Sequence, residues 1–161
     1  MEHILFKIQY PAEFHAQTAV EAAIKLHESV ASKLEIIDKI VIRTQEPAIR
    51  IISKVGKLAN AADRDHCIQY MVAVGLIFGD LIAEYYEDDF HQENQLIDKL
   101  RDKMIIEEDN QFSMDYLDPE KRSIANAVQV FFNDGTCSDD IQIESVSYTH
   151  LRAHETDVHL V

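Results

Sequence analysis

Apolar and polar positions change period several times along this chain. Ile4 to Tyr10 is a short apolar run that Pro11 stops, because proline fixes φ and removes a backbone donor. From about Glu13, apolar residues recur at three- and four-residue steps through Ala19, Ala23, Leu26 and Val30, with Glu21, Lys25 and Glu28 on other faces. That spacing predicts a helix. Ile36 to Thr44 is β-branched and predicts a strand. A loop or short helix follows through Pro47 and Gly56. Asp63 is the expected N-cap of a helix whose body, through Ile68, Met71, Val72, Gly75 and Leu76, is nearly all apolar. Such a helix should be central and buried, and Leu81 to Tyr86 should extend it by a turn or two.

Further on, Gln92 to Met104, with apolar residues at Leu96, Ile97 and Leu100, reads as a short amphipathic helix, and Ile105-Ile106 opens a strand. Asp118-Pro119-Glu120 is a turn. Ser123 to Phe132 and Asp140 to Glu144 read as strands joined through Asn133-Asp134-Gly135-Thr136, whose Asp-Gly pair suits a hairpin. Helices interleaved with strands and closing on a hairpin predict an α+β fold: a small mixed or antiparallel sheet covered by helices.

At 161 residues the chain is long enough for one domain with its own core. No apolar run approaches the roughly 20 residues that span a bilayer, so no membrane partner is expected. Met1 to Phe6 has neither a basic n-region nor a cleavage site, which makes the cytoplasm the expected compartment. Two cysteines, Cys67 and Cys137, are too few for a disulfide scaffold or for an iron–sulfur cluster held by protein thiolates alone. Cys67, in an apolar stretch, is expected to be buried and inert.

The net charge of −14 is unevenly spread. Met1 to Gly79 holds nine acids and nine Lys/Arg, whereas Asp80 to Glu120 holds fourteen acids against Lys99, Arg101 and Lys103. Nucleic-acid binding wants the opposite balance. The acidic stretch reads as a solvated face, which leaves the neutral half as the place to look for an anionic substrate. Arg43, Arg50, Lys54 and Lys57 could steer such a ligand, although a solvated surface explains them as well.

Three stretches carry a family resemblance: Phe6-Lys7-Ile8-Gln9-Tyr10-Pro11-Ala12-Glu13-Phe14-His15 with its continuation to Ala23, Ala62-Asp63-Arg64-Asp65-His66-Cys67-Ile68-Gln69-Tyr70-Met71, and Asp118-Pro119-Glu120-Lys121-Arg122-Ser123-Ile124-Ala125-Asn126-Ala127 leading into Phe132-Asn133-Asp134-Gly135-Thr136. In these the chain resembles the MmgE/PrpD family, nearly continuously from Ile4 to Glu144. The resemblance implies a lyase that dehydrates 2-methylcitrate to 2-methyl-cis-aconitate in propionate catabolism, by way of the methylcitrate cycle and without a cofactor. It also implies a two-domain enzyme. Residues 1–144 are expected to form its smaller α+β domain, with a large helical domain of the same polypeptide missing, and this piece alone is expected to be inactive. A small tricarboxylate is the implied ligand and a homodimer an implied arrangement. Residues 145–161 break the family pattern and are expected to be a non-native tail. Cis-aconitate decarboxylation by a lyase of the same family, and a non-catalytic interaction module, stay open.

Dehydrating a citrate-like acid requires removing a proton beside a carboxylate and protonating the departing hydroxyl, with a cation near the developing charge. Lys7 and His15, flanking the break at Pro11, are the candidate catalytic pair; the family resemblance implies such a lysine and histidine in this segment. Arg64, His66 and Gln69 are the candidate substrate-binding residues, since an arginine can hold a carboxylate through two parallel hydrogen bonds. Helix-end salt bridges and packing account for the same residues equally well. In the tail, His150, His154 and His159 mimic ligand spacing, but three residues separate His154-Glu155 from His159, so the pattern is not H-E-x-x-H and no metal is assigned.

Overall fold

A computed structural model describes residues 9–144. Lys7 and the tail of residues 145–161 lie outside the described residues. After a single turn of 3₁₀ helix at Phe14–Ala16, the first α-helix, α1, runs Gln17–Val30, and β1 covers Ile37–Thr44. Next come α2 (Glu46–Ile52), α3 (Ala61–Asp65), α4 (Ile68–Phe78), α5 (Asp88–Glu93) and α6 (Leu96–Arg101). The chain then forms β2 (Met104–Glu108), α7 (Asn110–Leu117), β3 (Asn126–Phe132) and β4 (Ile141–Ile143). The sheet order is β2-β1-β3-β4, with β1 parallel to β2 and the other pairs antiparallel. This is the expected α+β fold, and its sheet is mixed because the helices α2 to α6 provide the long crossover that a parallel pair needs.

One face of the sheet carries the main core. Ile40 and Ile42 of β1, with Val128 and Val130 of β3, alternate inward onto α1 and α4. On the other face Ala127 packs with Phe112 of α7 and Ala125 in a smaller cluster. Every residue of α4 from Ile68 to Leu76 is buried, as its all-apolar sequence requires. Cys67 is buried as well. The α1 and α4 helices meet through small residues. Gly75 lies against Ala23, and four residues on in each case Gly79, at the end of α4, lies against His27, so the two helices run in the same direction.

Three expectations are corrected, and one helix was not expected. Asp63 is not an N-cap: Asn60 caps the separate short helix α3, and the Asp63 carboxylate accepts from the backbone N–H of Ala59. Arg64 and His66 therefore precede the apolar helix instead of opening it. Nor does α4 continue into Leu81–Tyr86. Gly79, at φ 68, ends it in a left-handed turn, and a separate 3₁₀ turn follows at Ala83–Tyr86. The Gln92–Met104 helix is divided at Asn94, whose side-chain amide donates to the Phe90 carbonyl and closes α5. Finally, α7 has no counterpart in the hydrophobic pattern; Asp109 starts it by accepting from the backbone of Gln111 and Phe112.

The packing of α1 on α4 yields a stability prediction. A Cβ at Gly75 would stand 2.9 Å from the Ala23 Cβ, which has no flexible end that can yield. Gly75→Ala gains about 1 kcal/mol of helix propensity and loses about 1–3 kcal/mol to overpacking. The clash is expected to win, lowering the midpoint of urea unfolding. A raised midpoint would mean that the helices part there at no cost.

Candidate active site

The segment before α1 has little regular backbone pairing, so side chains must hold it. Gln17 does most of this. Its amide nitrogen donates to the carbonyls of Tyr10 (2.9 Å) and Ala12 (2.7 Å), and its carbonyl accepts from the backbone N–H groups of Gln9 and Tyr10. The Tyr86 hydroxyl donates to the Pro11 carbonyl at 2.7 Å and fastens the same loop from the far side. Burial pushes the Tyr86 phenol well above its ordinary pKa, so it stays a donor across the working pH range.

Between these anchors lies a cleft of about 410 Å³. Tyr10 to Glu13 form one wall, Asp65 and His66 the other, and Ala83 and Tyr86 complete it. His66 is half exposed and its Nδ1 is bonded to Asp65.

Glu13 begins the 3₁₀ turn and accepts from His15 twice, at the backbone N–H (2.8 Å) and at ring Nδ1 (2.9 Å). An ionised carboxylate can only accept, so Nδ1 carries the proton. Nε2 is then left to accept from the Tyr116 hydroxyl, 3.2 Å away. Behind the ring, Asn126 of β3 donates to the His15 carbonyl (2.9 Å) and to Thr18 Oγ1, which itself donates to the Ile124 carbonyl. Burial acts to raise the Glu13 carboxyl. The hydrogen bonds from the His15 ring and backbone outweigh it and hold the group below the ordinary carboxylate range.

The remaining candidates sit deeper. Arg64 is 2% exposed; its Nε donates to the Tyr86 carbonyl at 2.6 Å, Nη2 to Asp88, and Nη1 faces His91 Nδ1 at 3.4 Å. These partners engage all three guanidinium nitrogens. Gln69 is buried, donating to Ser53 Oγ and accepting from the Lys54 backbone, which ties α4 to the loop after α2. The structure thus brings His66 and the Glu13–His15 pair to one place and sets Arg64 behind Tyr86, while Gln69 faces the loop after α2. The basic stretch is paired with carboxylates at three of its four members: Arg43 with Asp109 and Asp140, Arg50 with Glu46, and Lys54 with Asp63.

Glu13, Gln17 and Tyr116 were not legible as site residues. Glu13-Phe14-His15 held a local cue, since a carboxylate two residues before a histidine at a helix start can cap it. Tyr116 held none, being 101 residues from its partner.

The profile of the MmgE/PrpD C-terminal domain matches residues 10–161. The chain belongs to the MmgE/PrpD family. Over 147 residues, 89% of this chain, it is 55% identical to the 2-methylcitrate dehydratase of Escherichia coli (strain K12). It is 54% identical, over the same share, to the 2-methylcitrate dehydratase of Cupriavidus necator and to the probable 2-methylcitrate dehydratase of Saccharomyces cerevisiae. The chain spans about 30% of the length of the curated relatives it matches. Among the described residues no helix is long and apolar enough to cross a membrane.

The Glu13 geometry carries a pH dependence of stability. A carboxyl whose folded pKa lies below its unfolded value, here 4.5, stabilises the fold above that value, and the contribution is lost as pH falls through the folded pKa. Unfolding midpoints followed from neutral pH to below 4 should therefore drop less steeply in Glu13→Gln than in the parent. Equal slopes would mean that the Glu13–His15 contact contributes nothing.

Proposed function

We propose that this chain is the smaller domain, residues 1–144, of a lyase that dehydrates 2-methylcitrate to 2-methyl-cis-aconitate in the cytoplasm, with residues 145–161 a non-native tail. The observation that carries this reading is 55% identity with a 2-methylcitrate dehydratase sustained over 89% of the chain. The cleft suits the chemistry. It has the volume for a small tricarboxylate, and titratable groups stand on both walls. A helical domain of the same polypeptide completes the enzyme in this reading, and two copies form a homodimer.

Removing a proton beside a carboxylate builds negative charge, which a fixed cation stabilises; expelling the hydroxyl needs a proton donor. Lys7, four residues before Pro11, takes the cationic role, and His15 serves proton transfer as a member of the Glu13–His15 pair. His66 lies on the substrate's side of the cleft. Arg64 and Gln69 assist substrate binding from buried positions, and Arg64 contacts a substrate carboxylate where that group takes the place of Asp88. No cofactor is required by this scheme, because the proton steps and charge stabilisation all fall to side chains.

The test belongs on the complete protein. Incubated with 2-methylcitrate and no added metal or iron, it should develop the ultraviolet absorbance of the enoate. Lys7→Ala and His15→Ala should each lower kcat by about 10²- to 10⁴-fold, the usual worth of a positioned acid–base group. Near-parent rates in both variants would remove them from the site. Carbon dioxide release from cis-aconitate in place of dehydration would reassign the protein to decarboxylation.

A further inference from the structure

The imidazole of His15 has no free nitrogen to offer the cleft. Nδ1 is taken by Glu13 and Nε2 by Tyr116, and the side chain is 9% exposed. Glu13, at 15%, lines the cleft directly. Its two oxygens have about four lone-pair directions between them. Among the described residues, the only groups that donate to it are the ring and backbone nitrogens of His15. It therefore retains acceptor capacity, and it borders the cleft.

We infer that Glu13 is a catalytic residue of this cleft, the base that takes the substrate proton, and that His15 with Tyr116 behind it is its positioning apparatus. This rests on the lyase reading above. In the step, the C–H bond beside a substrate carboxylate breaks and its proton bonds to a Glu13 oxygen. The electron pair becomes the new carbon–carbon double bond as the neighbouring C–O bond breaks. The departing oxygen keeps that bond's pair and receives a proton from the His66 imidazolium on the opposite wall, leaving as water. After release, the proton on Glu13 passes through solvent to His66, and both groups return to their starting states.

The local charges make this arrangement workable. The groups facing Glu13 are His15 from its own turn, Asp65 and His66 from the end of α3, Tyr10 from the same loop, and Tyr86 from the turn before α5. Tyr116 of α7 lies one step further back, against His15. The His15 contacts keep Glu13 ionised, hence competent as a base, down to lower pH than a free glutamate.

The experiment compares variants of the complete protein across pH. Glu13→Gln should reduce kcat by about 10²- to 10⁴-fold with KM little changed, and Glu13→Asp should recover part of the loss. The parent's rate should fall at the acid end of the profile. In His15→Ala the residual activity should keep that fall but move it to higher pH, a displacement that a purely structural role for Glu13 does not produce. A parent that dehydrates 2-methylcitrate and a Glu13→Gln variant that matches it would overturn the inference and leave the lyase reading standing. A second measurement separates the two if the parent does not dehydrate. In this chain, labelled at glutamate carboxyl carbons, citrate should shift the Glu13 resonance, and His15→Ala should move its titration to higher pH. A Glu13 signal unmoved by both overturns the inference whatever the enzyme does.

Discussion

Almost everything in this domain depends on how closely α1 and α4 approach. Gly75 and Ala23 bring the two backbones together where larger side chains would hold them apart. Because the helices run in the same direction, their N-terminal ends come out on one side of the molecule. The segment before α1 carries Glu13 and His15, and the segment before α4 carries Asp65 and His66. The cleft is the space between these two lead-in segments, so its width is set by a contact in the hydrophobic core. Parallel helices also align their macrodipoles, and the positive ends lie towards the cleft. Each such end favours negative charge by roughly 0.3–1 kcal/mol when exposed. That field favours an ionised Glu13.

Core packing alone does not make the cleft rigid, since Gln9 to Glu13 belongs to no helix or strand. Buried polar side chains supply what the backbone lacks. Gln17 satisfies the groups of this loop from inside α1, and Asn126 and Thr18 tie the next turn to β3. Such groups are costly to leave unpaired, so moving the loop means breaking several hydrogen bonds together. A site held this way presents its charges in nearly fixed positions, which is the condition for electrostatic catalysis.

Periodicity was enough to reveal α1, β1, the buried body of α4, β2 and the β3–β4 pair, because each has one dominant apolar face or run. It failed where the chain breaks. Gly79 closes α4 because the ring of His27 occupies the space a side chain would need, a reason that exists only once α1 is in place. Likewise α7 buries only Phe112, too little to produce a stripe. The site divides the same way. His15 and His66 could be read as titratable residues at helix starts. The partnership of His15 with Tyr116 could not, because it joins parts of the chain far apart in sequence. Gln17 reads as an ordinary helix residue until the loop folds over it.

The uneven charge also takes on a different meaning in the fold. The acidic half, which on its own reads as a solvated face, supplies Asp88 to Arg64, Asp98 to Arg101 and Asp109 to Arg43. Both Arg64 and Arg101 are buried, and a buried cation without a partner is strongly destabilising. His91 lies between them, facing Arg64 at Nδ1 and Asp98 at Nε2. Since an arginine can only donate, His91 accepts at Nδ1 and donates at Nε2. The result is a continuous polar chain from Asp88 through Arg64, His91 and Asp98 to Arg101, running beneath the wall that presents Asp65 and His66. Sliding that wall would unpair buried charge, whereas exchanging the largely exposed Asp88 for another carboxylate would not. The network therefore fixes the wall, and its most exposed member, Asp88, stands at its end.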